Sequence, residues 1–178
     1  MDNCQLWISF RPATRLAGMV EARKQMRGEA LRSILPMVKY SGSNVDQAYR
    51  HLVSLRASVI NDCKACITTH RRDARADGWD EKRILRAEDW TNHRDRFDEK
   101  ETAVLALTDA VTHIDGYESV PDELWDSVEK HFGTQGAHDV LVSILAINTF
   151  NRLSITTRTN ADAIKSTIEF DHDYDATL

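Results

Sequence analysis

Residues 51–79 read HLVSLRASVINDCKACITTHRRDARADGW, and the reading of this stretch decides that of the whole chain. Val45, Tyr49, Leu52 and Val53 recur at helical spacing rather than alternating, which predicts a helix running to about Ile60. Asn61 and Asp62 then offer a cap for a second helix, which continues to Gly78, a residue suited to the left-handed position that closes a helix. On a helix of 3.6 residues per turn, Cys63, Cys66 and His70 fall within one narrow face, because offsets of three and seven return side chains over one another. They can form one site.

Outward from this stretch the helical pattern continues. Upstream, GEALRSILPMVKY (28–40) leads to SGSN (41–44), read as a break whose Ser43 or Asn44 caps the helix that follows. Downstream, DEKRILRAEDW (80–90) predicts a short helix, and Asp98 and Glu101 stand in capping-box spacing before the stripe Val104, Leu107, Val111 and Ile114. Pro121 opens a helix with Leu124, Trp125, Val128 and Phe132 on one face, and Gly133 and Gly136 suggest a hinge-like loop before a last helix over 137–158. That helix is apolar almost all round from Val140 to Ile147, as expected of a central element or an oligomer seam. With three prolines, seven glycines and few alternating β-branched runs, the fold class expected is all-α.

Composition narrows the function classes. At 178 residues and 42% apolar content the chain suits a single domain over 1–178, its core at about 25–160, with an N-terminal extension and an acidic tail, FDHDYDATL (170–178), left loose. A net charge of −5 and the absence of a long Lys/Arg block argue against nucleic acid as a partner. The start, MDNCQLWISF, lacks a basic region followed by an apolar run, and no stretch reads as the ~18 apolar residues of a membrane span. A cytoplasmic protein without a membrane partner is therefore expected. Three cysteines, two of them close-spaced, cannot staple a domain of this size, whereas a CxxC pair in a reducing compartment does chemistry or binds metal.

What the pair could do follows from position. A cysteine in the first turn of a helix lies near unpaired N–H groups and the positive end of the dipole, which favours the thiolate and gives Cys63 an advantage. Cys66 stands four residues before His70, the spacing at which helical side chains meet, so the imidazole can take its proton. A thiolate attacks a peroxide oxygen to give a sulfenic acid, which a nearby thiol converts to a disulfide. Two other readings stand beside this. A zinc site would need a fourth ligand such as His51 or His93, without a second close-spaced pair. Alternatively both thiols are small buried apolar groups and His70 a surface residue.

The quoted stretch resembles the signature of the AhpD-like alkylhydroperoxidases of the carboxymuconolactone decarboxylase superfamily, close to E-L-V-x-L-R-x-S-x-x-N-G-C-x-x-C-x-x-x-H-x-x-x-A-x-x-x-G. Leu52, Val53, Leu55, Arg56, Ser58, Asn61, Cys63, Cys66, His70, Ala74 and Gly78 match it, and the likeness extends through Trp90 to AINTFNRLSITTR (146–158). The resemblance implies an all-α AhpD-like helical bundle that assembles as a homo-oligomer. It also implies a cofactor-free thiol peroxidase with Cys66 attacking, Cys63 resolving, His70 assisting, and recycling by a dithiol reductant such as a lipoyl- or thioredoxin-like protein. The family's relay glutamate lies twelve positions before the first cysteine; His51 stands there, Asp62 replaces the common glycine, and Ala65 stands where some peroxidase members carry histidine. His51 can serve as a neutral base or simply line the site. Asp62 would cap the helix while placing negative charge near the thiols. Arg56, Ser58, Trp90, Asn148, Asn151 and Arg152 are expected to brace the fold. A disulfide oxidoreductase or redox sensor, or an inactive helical binding protein, would carry the same residues. Lactone decarboxylation ranks lower, because those members do not rely on a CxxC pair.

Overall fold

The computed structural model describes residues 29–160; the N-terminal extension up to residue 28 and the acidic tail lie outside the described residues. The chain is all-α, with no strand among the described residues. In order it forms α1 (Glu29–Arg32), α2 (Leu35–Asn44), α3 (Gln47–Ile60), α4 (Lys64–Ala76), α5 (Glu81–Glu88), two 3-10 turns, α6 (Glu99–Thr112) and α7 (Asp122–Thr157). α3 lies at the centre, against α4, α5, α6 and α7, while α2 closes one side of α7.

The apolar spacing of each helix accounts for this arrangement. Leu52, Val53 and Leu55 of α3 are fully buried with Ile84 of α5, Val104, Leu105 and Leu107 of α6, and Val128 and Ile144 of α7. Each such side chain contributes about 1.5–3 kcal/mol by leaving water. The expected stripe on α6 is partly corrected: Val104 and Leu107 are buried, but Ile114 lies beyond the helix and is largely exposed, and Leu105 fills the core instead. The capping box of α6 forms as expected, with Glu101 N–H donating to Asp98 and the Asp98 N–H to the Glu101 side chain. Asp80 caps α5 through the Arg83 N–H.

Three expected breaks differ in detail from those found. Ser43 and Asn44 do not cap α3; they form the last turn of α2, where their side chains donate back to the carbonyls of Lys39 and Tyr40, and α3 begins at Gln47. Local back-bonding from a helix end competes with capping the next helix, and here it wins. The hinge expected at Gly133 and Gly136 is found at Gly133, where two helical segments of α7 meet at a kink with no longer loop between them. Gly133 alone departs from helical geometry, at φ 71° and ψ 168°, and kinks α7. Gly136 is helical, and a Cβ there would lie 2.9 Å from Cβ of Phe132, so its smallness serves this close approach rather than a turn. The cap of α4 is the third difference and belongs to the site.

α7 also revises the membrane expectation on length and composition, since it contains a stretch of mean hydropathy 1.3. It is packed against α2, α3, α4 and α6 and buries Asp139, Ser143, Asn148 and Asn151 along its length. Ser41 donates to Ser143 and Tyr40 to Asp139, both at 2.8 Å, so these polar groups are satisfied across the α2–α7 contact. An interior helix enclosed on several sides has this composition.

Candidate active site

The site is set by two helix ends of the same design. At the end of α3 the Asp62 N–H donates to Val59 and the Cys63 N–H to Ser58, both at 3.0 Å, with Asp62 in the left-handed region at φ 51°. At the end of α4 the Gly78 N–H donates to Arg75 and the Trp79 N–H to Ala74, with Gly78 at φ 86°. Both patterns are Schellman closures, which turn the chain sharply and satisfy the last carbonyls. The first delivers Cys63 to the start of α4, and the second folds Asp77 and Trp79 back beside α3.

Asp62 therefore ends α3 rather than capping α4, and its largely exposed carboxylate pairs with Lys64. Asn61 likewise belongs to the end of α3. Its side chain donates to the Ala57 carbonyl and, at 2.9 Å, to Asn148, tying the turn to α7. The N-cap of α4 is Cys63 itself, whose sulfur accepts from the Cys66 N–H at 3.4 Å. Cys63 and Cys66 are joined as a disulfide, with Cα atoms 5.3 Å apart. Both are buried, Cys66 less completely at 6% exposed against 1%. Once reduced, the two thiols sit at the positive end of a 13-residue helix, which favours the thiolate.

The two imidazoles occupy different settings. His70 follows Cys66 by one helical turn on α4; its ring is mostly covered, and its Nδ1 lies 3.9 Å from Asp73, beyond a hydrogen bond. Burial lowers its pKa to about 4, and positive charge on His51 and Arg72 pushes in the same direction. At neutral pH it is a neutral imidazole able to accept a proton. His51, buried on α3, places Nε2 2.7 Å from Oδ2 of Asp77 and packs edge-on to Trp79 at 5.3 Å. Asp77 also accepts from the Gln47 side chain. Asp73 is raised above the ordinary carboxylate range, chiefly by burial.

The fold thus joins Cys63 to Cys66 and brings His51 within electrostatic range of His70. Among the described residues neither imidazole is hydrogen-bonded to a sulfur in this oxidised form. His93 stands apart, its Nδ1 3.1 Å from the Asp89 carbonyl. Among the described residues no group of three or more His, Cys, Asp or Glu side chains converges on a metal position. Asp77, Trp79 and Gln47 complete the surroundings of His51, and the sequence reading missed all three. Asp77 lies 26 positions from its partner, a separation with no periodic signature. The usable signal was the Asp-Gly-Trp order at the helix end, since a closing glycine redirects the residues flanking it.

The residues assigned to bracing do brace. Arg56 grips Asp109 through two hydrogen bonds and donates a third to the Glu88 carbonyl, while the Trp90 indole donates to Asp109 at 3.0 Å. Ser58 donates to Asn151 at 3.2 Å, and Asn148 bonds Thr112 and accepts from Arg152.

Residues 28–110 match the profile of the Carboxymuconolactone decarboxylase family. The chain is 35% identical over 128 residues to the uncharacterized protein YdfG of Bacillus subtilis, an overlap of 71% of this chain and 86% of YdfG. Among solved structures it is similar to ATU0492 from Agrobacterium tumefaciens, a protein of unknown function proposed to be an antioxidant defence protein, AhpD. That similarity has a TM-score of 0.69 and 32% identity, and it covers 74% of this chain and 90% of the other.

Proposed function

Because the chain belongs to the carboxymuconolactone decarboxylase family and carries a CxxC site like that of its AhpD-like members, we propose that it is a thiol peroxidase acting on hydrogen peroxide or an organic hydroperoxide. The observation that carries this reading is the Cys63–Cys66 pair at the start of α4 with the neutral His70 one turn beyond. The proposed name of the Agrobacterium relative points the same way.

In the reduced protein His70 takes the proton of Cys66, and the thiolate attacks one peroxide oxygen. An S–O bond forms, the O–O bond breaks, and the departing alkoxide or hydroxide takes up the proton. Cys63 then attacks the sulfenic sulfur, so that an S–S bond replaces the S–O bond and water leaves. A dithiol donor, of the lipoyl or thioredoxin-like kind, gives two electrons and two protons to restore both thiols. The chain's own residues suffice for this cycle without a cofactor, and we place the protein in the cytoplasm as a homo-oligomer, where thiols are kept reduced.

The test is peroxide consumption by the reduced full-length chain supplied with dihydrolipoamide or dithiothreitol. Turnover in the wild type and its loss in Cys66→Ser are expected; equal consumption by both would overturn the reading. A second reading, a disulfide oxidoreductase with little peroxide chemistry, draws on His51 standing in the position of the family's relay glutamate. A thioredoxin-like reduction potential without peroxide turnover would favour it.

A further inference from the structure

A cleft of charged residues lies outside the thiol site, between α5, the 3-10 turn Arg94–Arg96 and the first turn of α6. Asp80, Arg83, Arg86, Arg96, Phe97 and Glu101 line its volume of about 290 Å³. Three guanidiniums stand against two carboxylates there, an excess of positive charge on a chain whose net charge is −5. Both carboxylates are already committed. Asp80 caps α5 by accepting from the Arg83 N–H at 2.7 Å, and Glu101 closes the capping box of α6 while accepting from the Arg83 side chain at 2.8 Å. Arg83 is held further by stacking on Trp79, its guanidinium carbon 4.2 Å from the ring centre. Arg96 pairs with its neighbour Asp95 at 3.0 Å. The half-buried Arg86 side chain has no ion pair or hydrogen bond among the described residues.

A guanidinium drawn partly out of water without a counter-charge carries a desolvation cost that an oxyanion would offset, and its planar fork matches phosphate or carboxylate oxygens in pairs. We propose that this cleft binds a small organic oxyanion, a phosphate monoester or carboxylate with a compact apolar body. Arg86 and Arg96 take the oxygens, and the half-buried Phe97 ring lies against the body. Phe97 packs on the hydrophobic core, so that wall is fixed before a ligand arrives. The capping box of Asp98 and Glu101 likewise holds the adjoining turn. At the lower end of the roughly 300–1,000 Å³ of ligand pockets, the cleft suits one anionic group with one ring rather than a dinucleotide. None of the lining residues belongs to the thiol site, and the inference stands whether or not the protein reduces peroxide.

Isothermal titration of the full-length disulfide form with phenyl phosphate, in about 0.1 M salt so that distant charges are screened, tests this. Saturation of one site is expected, and Arg86→Gln should weaken it about tenfold or more, because hydrogen bonds to a charged group are lost. Lys39→Gln removes the same charge from an exposed position on α2, which does not border the cleft, and should leave the affinity within about twofold. Inorganic phosphate, lacking a ring to cover Phe97, should bind at least about tenfold more weakly than phenyl phosphate. Benzoate separates the two ligand classes: tighter binding than phenyl phosphate assigns the cleft to a carboxylate, and the reverse order to a phosphate ester. No saturation by either aromatic probe up to about 20 mM overturns the proposal. Equal weakening by Arg86→Gln and Lys39→Gln, or inorganic phosphate binding as tightly as phenyl phosphate, overturns it as well. Should Arg86→Gln fail to fold, Arg96→Gln at an exposed position carries the same expectation.

Discussion

The Cys63 N–H donates to the Ser58 carbonyl at 3.0 Å, and this bond forms only because Asp62, between α3 and α4, adopts a left-handed conformation at φ 51°. That conformation costs an ordinary L-residue about 1–2 kcal/mol, somewhat less for Asp, and costs glycine little. Asp62 is largely exposed and among the described residues its side chain pairs with Lys64 alone, so little is lost with it. Asp62→Gly should therefore stabilise the protein by about 0.5–1 kcal/mol after the extra chain entropy of glycine is subtracted. Denaturant melts of the two proteins measure this, and a destabilised variant would show that the Lys64 pair outweighs the backbone strain.

The polar clamp of α3, α5 and α6 gives a prediction of opposite sign. Arg56 is mostly covered and bonds both oxygens of Asp109, to which Trp90 also donates. Arg56→Ala leaves that carboxylate half-enclosed with the indole as its remaining partner, and truncating one member of a covered pair costs about 3 kcal/mol. A shift of the urea midpoint with unchanged slope is the expected record. Removal of both charges, as in Arg56→Met with Asp109→Leu, should recover much of the loss.

How far these features could be read from the sequence differs from residue to residue. Tyr49, Leu52 and Val53 announced α3 because a core-facing stripe repeats with the helix period, and Asp98 with Glu101 announced α6 because a capping box has a fixed spacing. The same local rules misplaced the start of α4. Asp62 has the composition of a cap, but its backbone conformation is set by the need of α3 to close, which no side-chain pattern reports. Gly133 and Gly136 look alike in sequence yet act differently, one bending the helix and the other admitting Phe132. At the site, Cys63, Cys66 and His70 were legible because they share one helix. Asp77 was not, because its meeting with His51 is a product of tertiary folding.

Division of labour between the two thiols supplies a third prediction. Cys66 has the base one turn away and is the less completely buried residue, whereas Cys63 caps the helix through the Cys66 N–H. In Cys63→Ser the attacking thiol survives, so peroxide should convert Cys66 to a sulfenic acid that lingers and reacts with dimedone. Catalytic turnover with dihydrolipoamide should fall at least about tenfold, because each cycle then waits on an intermolecular thiol. Dimedone labelling confined to Cys63 in Cys66→Ser, with none at Cys66 in Cys63→Ser, would reverse the assignment.

The depressed pKa of His70 makes stability depend on pH in a definite direction. Its unfolded-state value is 6.5 and its folded value about 4, so between these limits the unfolded chain binds a proton that the folded chain does not. Stability should therefore be full above about pH 6.5 and fall as the pH drops toward 4, by on the order of 2–3 kcal/mol from this group, with no further loss from it below that. Asp73 acts against this over the acidic end. Its raised pKa means that the folded protein holds a proton just above 3.8, so it adds stability as the pH falls through that range. The net expectation is a decline between pH 6.5 and 4 that Asp73 moderates at its acidic end, measured by urea unfolding of the disulfide form. His70→Gln removes the titrating group and should flatten the decline in that window; an equally steep profile in the variant would assign the acid sensitivity to another residue.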